Sequence, residues 1–356
     1  MKADGLPRKI ANISRLSAYS RPQKIQGAIK LDSNENFVLD RNLVSRLAID
    51  AAKSVDIREY PIDELDALQK RLAKYTGIKA ACIAAGGGSD QIIELLLSTF
   101  GHKRATVFSP TFSYFINRCE LHGIKVDKVP LLRDFSLNVH QFDKNASKSG
   151  LVYICSPNNP TANQFEEESV FKIIDSVGKN TLVIVDEAYV DFADQSVAPK
   201  AISRDNVVVL RTLSKAFGLA GARVGYMLAN EKFAEAFRTV IQSPYPIGSL
   251  SLVIAASLLD NTDLVRQTIA TIVEERKKIT KRLADMSAIK VHRSDANFIF
   301  LETGSKFQSI ARTFADKSII VKLFGNVSGH KGCMRITVGT PEVNEIVLGC
   351  IEGACS

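Results

Sequence analysis

The sequence predicts an α/β protein: a large domain with a mostly parallel central sheet covered by helices, followed by a smaller α+β domain. Three observations carry this. Several short segments, among them Leu151 to Cys155, Leu182 to Val185 and Val207 to Leu210, are apolar without alternation, the pattern of strands buried on both faces. Amphipathic stretches of helical period separate them, so strand and helix alternate along the chain. Gly-rich and polar motifs follow directly after these apolar runs, at the strand ends where such sheets bind ligands.

Taken in order, residues 1–30 are polar, contain Pro7 and Pro22, and read as an amino-terminal arm. Residues 31–248 form the large domain. Leu39 to Ala52 has a helical pattern, and Leu65, Leu68, Leu72 and Tyr75 mark an apolar stripe on a helix over 62–75. Ala80 to Ala84 reads as a strand, followed by Gly86-Gly-Gly-Ser-Asp90 and a helix with Ile92, Ile93, Leu96, Leu97 and Phe100 on one face. Strands are expected at 105–108 and 124–129, with a helix over 112–122 between them. Glu166 to Val177 is a helix with acids in its first turn, where the helix dipole favours them. After Pro244-Tyr-Pro-Ile-Gly248 the texture changes. One long helical region over 249–286 precedes strands at 297–301, 319–323 and 334–338 and helices at 307–316 and 343–352. These make the small domain, residues 249–356, and the first helix of the large domain is expected to pack against it.

At 356 residues the chain is long enough for a large core and a smaller one. Its net charge of +8 is spread over dispersed Lys and Arg mixed with acids, without a basic block, so nucleic acid is not an expected partner. Six cysteines, without a Cys-x-x-Cys pair, read as reduced thiols, and five scattered histidines argue against a metal site. The amino terminus lacks a signal-peptide core and the apolar runs are too short to span a bilayer, which predicts a cytoplasmic protein without a membrane partner.

The chemistry concentrates in Arg211-Thr-Leu-Ser-Lys-Ala-Phe-Gly-Leu-Ala-Gly-Ala-Arg-Val-Gly225, delivered by the strand at 207–210. Its glycines and small residues let the backbone turn tightly and approach a ligand. Lys215 stands among small residues, and a desolvated lysine can become a neutral amine that attacks a carbonyl carbon. Arg223 can hold a phosphate bidentately, with the hydroxyls of Thr212 and Ser214 beside it. A ligand that needs both groups is an aldehyde carrying a phosphate, as pyridoxal 5'-phosphate (PLP) does. Gly88, Ser89 and Asp90 open a helix, with Ser89 as the expected N-cap, and a helix start is an anion site. This loop has neither a dinucleotide fingerprint nor a Gly-Lys-Ser/Thr, which disfavours a nucleotide. Asp186 ends an apolar strand, where a buried acid is costly unless paired. It can pair with a protonated pyridine nitrogen, with Tyr189 three residues on near the ring hydroxyl, or it can simply cap a helix.

Ser-Lys-Ala-Phe-Gly-Leu-Ala-Gly-Ala-Arg-Val-Gly-Tyr, residues 214–226, resembles the cofactor-lysine motif of fold-type-I PLP-dependent aminotransferases, and most of all the histidinol-phosphate aminotransferase family. The resemblance runs from about Tyr19 to Thr340. It implies the fold-type-I architecture, Lys215 bound to PLP, and Asn159 in Ser156-Pro-Asn-Asn-Pro-Thr161 bonded to the ring oxygen. Ala162 stands where the family usually has Gly. Phe112, where Tyr is common, is implied to stack on the cofactor. Tyr60 is implied to reach the phosphate site of a partner subunit, and Tyr19 the substrate across the dimer, so that a homodimer with shared active sites is expected. Arg335 in Met334-Arg-Ile-Thr-Val-Gly-Thr340 matches the substrate-anion arginine. Lys322 follows Ile320-Val321 where a second Arg is frequent. Asn36 belongs to Asp32-Ser-Asn-Glu-Asn-Phe37, which departs from the family's Asn-Glu-Asn-Pro-Tyr-Gly after Asn36.

The implied reaction is transamination of histidinol phosphate with 2-oxoglutarate, giving imidazole-acetol phosphate and glutamate in histidine biosynthesis. Phe112 and the altered loop keep an aromatic amino-acid transaminase open. A PLP-dependent threonine-phosphate decarboxylase shares these motifs. A PLP-binding regulatory module is disfavoured by the intact Lys215 and Asp186 and by the lack of a DNA-binding segment.

Overall fold

The computed structural model describes residues 6–16, 25–101, 103–146 and 149–355. Its strands in chain order are β1 (Ile29–Lys30), β2 (Ile83–Gly86), β3 (Arg104–Ser109), β4 (Lys125–Pro130), β5 (Leu151–Cys155), β6 (Leu182–Asp186) and β7 (Val207–Thr212). Then come β8 (Gly225–Leu228), β9 (Lys290–Val291), β10 (Phe298–Glu302), β11 (Ile319–Ile320), β12 (Lys322–Val327) and β13 (His330–Thr337). A seven-stranded sheet has the order β2-β8-β7-β6-β5-β3-β4. It is parallel from β7 to β4, and β8 runs antiparallel to both of its neighbours.

The absence of alternation in these strands has a direct cause. Val183 and Val185 of β6 enter one core, while Leu182 and Ile184 enter a second core on the opposite face. Val207 and Val209 of β7 divide from Val208 and Leu210 in the same way. Both faces are covered, so the body of each strand is apolar, and the buried polar residues Asp186, Arg211 and Thr212 fall at the carboxyl ends. Each such side chain contributes about 1.5–3 kcal/mol on burial. The helices Ser89–Phe100 and Ser113–Leu121 cover the second face with Ile92, Leu96, Phe115 and Cys119.

A four-stranded antiparallel sheet, β12-β13-β10-β9, follows in the carboxy-terminal part, and β1 pairs in parallel with β11 as a separate ribbon. Leu31 N donates to Ile320 O and Leu31 O accepts from Thr337 N, so the segment opening the predicted large domain lies against the carboxy-terminal sheet. One continuous core holds Val183 of the large sheet together with Phe298 and Ile336 of the small one. No helix among the described residues is long and apolar enough to cross a membrane.

Several elements differ from expectation. The long helix over 249–286 is two, Ser249–Asp260 and Thr262–Ala284, broken at Asn261 with φ −115° and ψ 42°. The Asn261 side chain donates to Ser257 O at 2.8 Å, the local competition that makes Asn a poor interior helix residue. The strand expected at 319–323 splits at Val321, its first half pairing with β1 and its second with β13. Residues 80–82 form a single 3-10 turn before β2 begins. The arm region holds a helix, Leu6–Ile13.

Candidate active site

A cavity of about 580 Å³ opens at the carboxyl ends of β5, β6 and β7 and is closed on its far side by β12 and β13. Lys215 enters it three residues beyond β7, in a turn closed by Gly218 N donating to Lys215 O. Leu213, Ala216 and Phe217 around it are fully buried. Its Nζ donates to Ser33 O at 2.8 Å and lies 5.7 Å from the centre of the Tyr189 ring. Burial first, and then the Arg335 charge, push its pKa from 10.5 down to about 8. A lysine so placed is neutral in about a tenth of molecules at pH 7, which makes it a usable nucleophile and base.

Asp186, the last residue of β6, is buried at the cavity wall, and burial raises its pKa to about 6. Two donors counter that rise. The Tyr153 hydroxyl on adjacent β5 donates to Oδ2 at 2.6 Å, and Ala188 N donates to Oδ1 at 3.0 Å. Tyr153 is itself fixed by Phe115, stacked at 4.0 Å between ring centres. The Tyr189 hydroxyl accepts from Asn34 Nδ2 at 3.0 Å and, at the 3.5 Å limit, from Asn159 Nδ2. Asn159 is set by a turn in which Asn158 bonds Pro110 O and Thr161. Ala162 in that turn has φ +71°, a conformation that favours glycine, and it is fully buried. The turn therefore keeps the shape that a glycine would adopt, with strain of order 1 kcal/mol.

The third part is an anion-sized corner made of Ser89, Asp90, Thr212, Ser214 and Arg223, all bordering the cavity. Arg223 Nη2 lies 3.0 Å from Asp90 Oδ2, and Thr212 Oγ1 bonds Ser214 Oγ at 3.0 Å. Gly88, not Ser89, is the N-cap, with φ +88°, and Ser89 is the first helical residue. A Cβ on Gly88 would fall 2.7 Å from Arg223 Nη2, and one on Gly225 would fall 2.3 Å from Ser89 N. The glycines are needed because the helix start and the Arg223 turn press against each other. Gly88 itself does not border the cavity.

Opposite lies the anion-facing side. Arg335 on β13 donates to Asn159 Oδ1 at 2.5 Å and to Asp32 O, with its guanidinium 5.3 Å from the Phe298 ring centre. Lys322 stands across the ladder from Arg335 and borders the cavity with Phe324 and Val327. Phe112 also lines the cavity, beside Pro110 and Thr111.

Asn36 and Tyr60 do not border this cavity. Asn36 spends its amide on Ala216 O and Thr268 Oγ1 and its carbonyl on the amides of Val38 and Leu39. It anchors the Asp32–Phe37 loop, and Asp32, Ser33, Asn34 and Glu35 face the cavity in its place. Tyr60 is 71% exposed and stacks on Tyr245 at 4.5 Å, away from this chain's own cavity. Tyr19 lies outside the described residues. Sequence reasoning passed over Tyr153, hidden in an apolar strand, and Asn34, two residues from the Asn it chose. A polar hydroxyl inside a run buried on both faces was the available signal for Tyr153.

An amine, a buried carboxylate one strand away, a hydroxyl and guanidinium corner, and glycine close approaches fit PLP as the group this cavity holds. Such a cavity at the strand ends of a mostly parallel sheet defines an aminotransferase-type site, and the chain belongs to the aminotransferase class I and II family, whose model matches residues 26–351. Among its relatives is the histidinol-phosphate aminotransferase of Pyrococcus furiosus, 35% identical over 91% of this chain and 91% of that one. The enzyme of the same name from a Thermoanaerobacter species is 36% identical over 91% and 92%. A solved histidinol-phosphate aminotransferase from Sinorhizobium meliloti, in complex with pyridoxal-5'-phosphate, superposes with a TM-score of 0.83 over 99% and 95% of the two chains at 23% identity.

Proposed function

We propose that the protein is a PLP-dependent aminotransferase that exchanges the amine of histidinol phosphate with 2-oxoglutarate, giving imidazole-acetol phosphate and glutamate in histidine biosynthesis. The observation that carries this reading is the joining of Lys215 and Asp186 to the Arg335–Lys322 pair around one cavity, in a chain 35–36% identical to histidinol-phosphate aminotransferases.

Bound PLP supplies a carbonyl for amine exchange and an electron-withdrawing ring. The side chains of this chain do the rest. Asp186 would hold the ring nitrogen protonated, and its carboxylate is oriented by Tyr153 and the Ala188 amide. Tyr189 and Asn159 would hold the ring oxygen and Phe112 would pack on the ring, while the helix-start amides of Ser89 and Asp90, the Thr212 and Ser214 hydroxyls and the Arg223 guanidinium would hold the phosphate. Lys215, neutral once it gives up its proton, would anchor the cofactor and would carry the proton that leaves the substrate's amine-bearing carbon. Arg335 and Lys322 hold the substrate's remote anion. Histidinol phosphate has no α-carboxylate, so its phosphate is that handle, and glutamate presents a carboxylate to the same pair.

The assay that tests the substrate is turnover of histidinol phosphate, phenylalanine and threonine phosphate at equal concentration, with carbon dioxide release followed alongside. Histidinol phosphate is expected to be the best of the three, without carbon dioxide. Preference for phenylalanine, or decarboxylation of threonine phosphate, would replace the reading. Borohydride reduction of the purified protein followed by peptide mapping is expected to label Lys215, and a label elsewhere contradicts its role.

The same reading includes a homodimer in which Tyr60 reaches the partner's phosphate corner. The exposed Ile57, Tyr60, Ile62 and Tyr245 support it as an apolar surface that a second copy would cover. Mixed dimers of Tyr60→Phe and Lys215→Ala subunits are expected to regain one good site, and confirmed heterodimers without recovery would refute the sharing. The cytoplasm is the proposed location, consistent with six unpaired cysteines, and cell fractionation checks it.

A further inference from the structure

The small sheet brings together three side chains that the sequence keeps well apart. His292 follows β9, Glu302 ends β10 and His330 begins β13. Their ligating atoms lie within 4.8 Å of one another. His330 Nδ1 is 2.8 Å from Glu302 Oε2, and His292 Nε2 is 3.9 Å from the same oxygen. The two imidazoles are 7% and 4% exposed. His292 Nε2 is buried and has no hydrogen-bond partner among the described residues. A buried polar atom left this way is destabilising unless something fills the position. The His330–Glu302 contact alone does not satisfy it.

We propose that His292, Glu302 and His330 form a binding site for one divalent transition-metal ion of the zinc class, distinct from the cofactor cavity and structural in its role. Two imidazoles and one carboxylate are a donor set that zinc accepts, with a water or hydroxide in the fourth position. Zinc bonds of about 2.0–2.2 Å place tetrahedral donors about 3.3–3.6 Å apart. The distances of 2.8 and 3.9 Å bracket that spacing, and since all three atoms lie within 4.8 Å of one another, side-chain movements of up to about 1.5 Å seat the ion. The surroundings favour a fixed site. Lys331 N donates to Glu302 Oε1 at 3.1 Å, orienting the carboxylate so that Oε2 faces the imidazoles. Phe135 packs 4.8 Å from His292 and 4.6 Å from His330, and Phe300 lies 5.7 Å from His292, walling the cluster with rings. Val327 of β12 pairs with His330 across the hairpin turn, so the ion would tie the β12–β13 hairpin to β10. The other end of that hairpin carries Lys322 and Arg335.

The test uses the cofactor-loaded enzyme, dialysed against a chelator and then titrated with zinc chloride by calorimetry, with metal content measured after desalting. One zinc per chain is expected, with a thermal midpoint that rises on loading. His292→Ala and Glu302→Gln are expected to weaken zinc at least tenfold, while the exposed His140→Ala leaves it unchanged. Retained cofactor absorbance and circular dichroism identify variants that remain folded. X-ray absorption at the zinc edge of the loaded wild-type protein provides a measurement independent of any variant, and two imidazoles with oxygen and no sulfur are expected. Zinc that does not bind in a one-to-one ratio, binds equally to His292→Ala, or shows sulfur ligands would overturn the proposal.

Discussion

The cofactor end of the cavity and its substrate end draw on the chain in opposite ways. At the first, Lys215, Asp186 and Asn159 each sit at or just beyond a strand buried on both faces, so adjacent strands in a rigid sheet set their spacing. At the second, Arg335 and Lys322 stand on a two-stranded hairpin of another sheet and meet the Asp32–Glu35 loop some three hundred residues away in sequence. Buried groups with shifted proton affinities lie at the first end. The second pairs a buried guanidinium with an exposed ammonium. On the proposed reading, binding and activation of the cofactor are built into the sheet, while the substrate end can change by single substitutions on a hairpin and a loop.

The largest effects are expected at the cofactor end. Lys215→Ala is expected to lower kcat by about 10⁴-fold or more, and Asp186→Asn by about 10²–10³-fold, measured as steady-state transamination. Both changes should nonetheless stabilise the cofactor-free protein. Lys215 falls from 10.5 to about 8 on folding, so its penalty is full below pH 8. The penalty is relieved between pH 8 and 10.5, where the unfolded chain binds more protons and stability rises with pH. Asp186 rises from 3.8 to about 6, so its penalty is full above pH 6 and is relieved as pH falls towards 3.8. Each neutral substitution is expected to add up to roughly 3 kcal/mol at pH 7. Urea midpoints of the cofactor-free proteins at pH 5, 7 and 9.5 check this. Variants no more stable than wild type at pH 7 would mean that neither group is held against its solvation preference.

Smaller effects are expected at the substrate end, and they should be unequal. Arg335 is 7% exposed and makes directional bonds to Asn159 and Asp32. Arg335→Ala is expected to raise KM about 10–100-fold for both histidinol phosphate and glutamate, the worth of a charge-assisted bond. Lys322 is an exposed point charge, and Lys322→Ala should cost about 3–10-fold, mainly for the phosphorylated substrate and less at high salt. Lys322→Arg should leave that turnover intact. Equal losses from both alanine variants would mean that the two cations act as one site.

How much of this was legible follows the same division. The apolar runs around Val183, Val208 and Ile154 reveal the large sheet, because a strand covered on both faces lacks the polar alternation that would blur it. The motifs after those strands pointed to Lys215, Asp186, Asn159 and Arg223, since strand and motif are contiguous in sequence. The hairpin was harder to read. Ile319 to Leu323 looked like one strand, and only pairing with β1 on one side of Val321 and β13 on the other reveals two. Asn34 and Asn36 are equivalent as letters. Which one faces the cavity depends on Ala216 and Thr268, which come close only in the folded chain. His292, Glu302 and His330 were illegible for the same reason, and the scattered histidines argued against what the small sheet brings together.

The finest test of the comparison concerns Tyr153, which touches Asp186 and does not border the cavity. Its hydroxyl donates to the carboxylate at 2.6 Å, and that bond lowers the Asp186 pKa against the larger upward push of burial. Tyr153→Phe removes the donor and keeps the ring stacked on Phe115. The phenylalanine should leave Asp186 easier to protonate, by about 0.5–1 pH unit if the bond is worth about 1 kcal/mol. On the proposed reading the ionised Asp186 carboxylate pairs with the ring nitrogen, so PLP affinity should weaken as pH falls through the Asp186 pKa. The midpoint of that weakening should move upward in Tyr153→Phe, while affinity near pH 8 changes only a few-fold. A PLP titration followed by absorbance from pH 5 to 8.5 measures both. If Tyr153 only fills space, affinity would change by the same factor at every pH and the midpoint would stay in place.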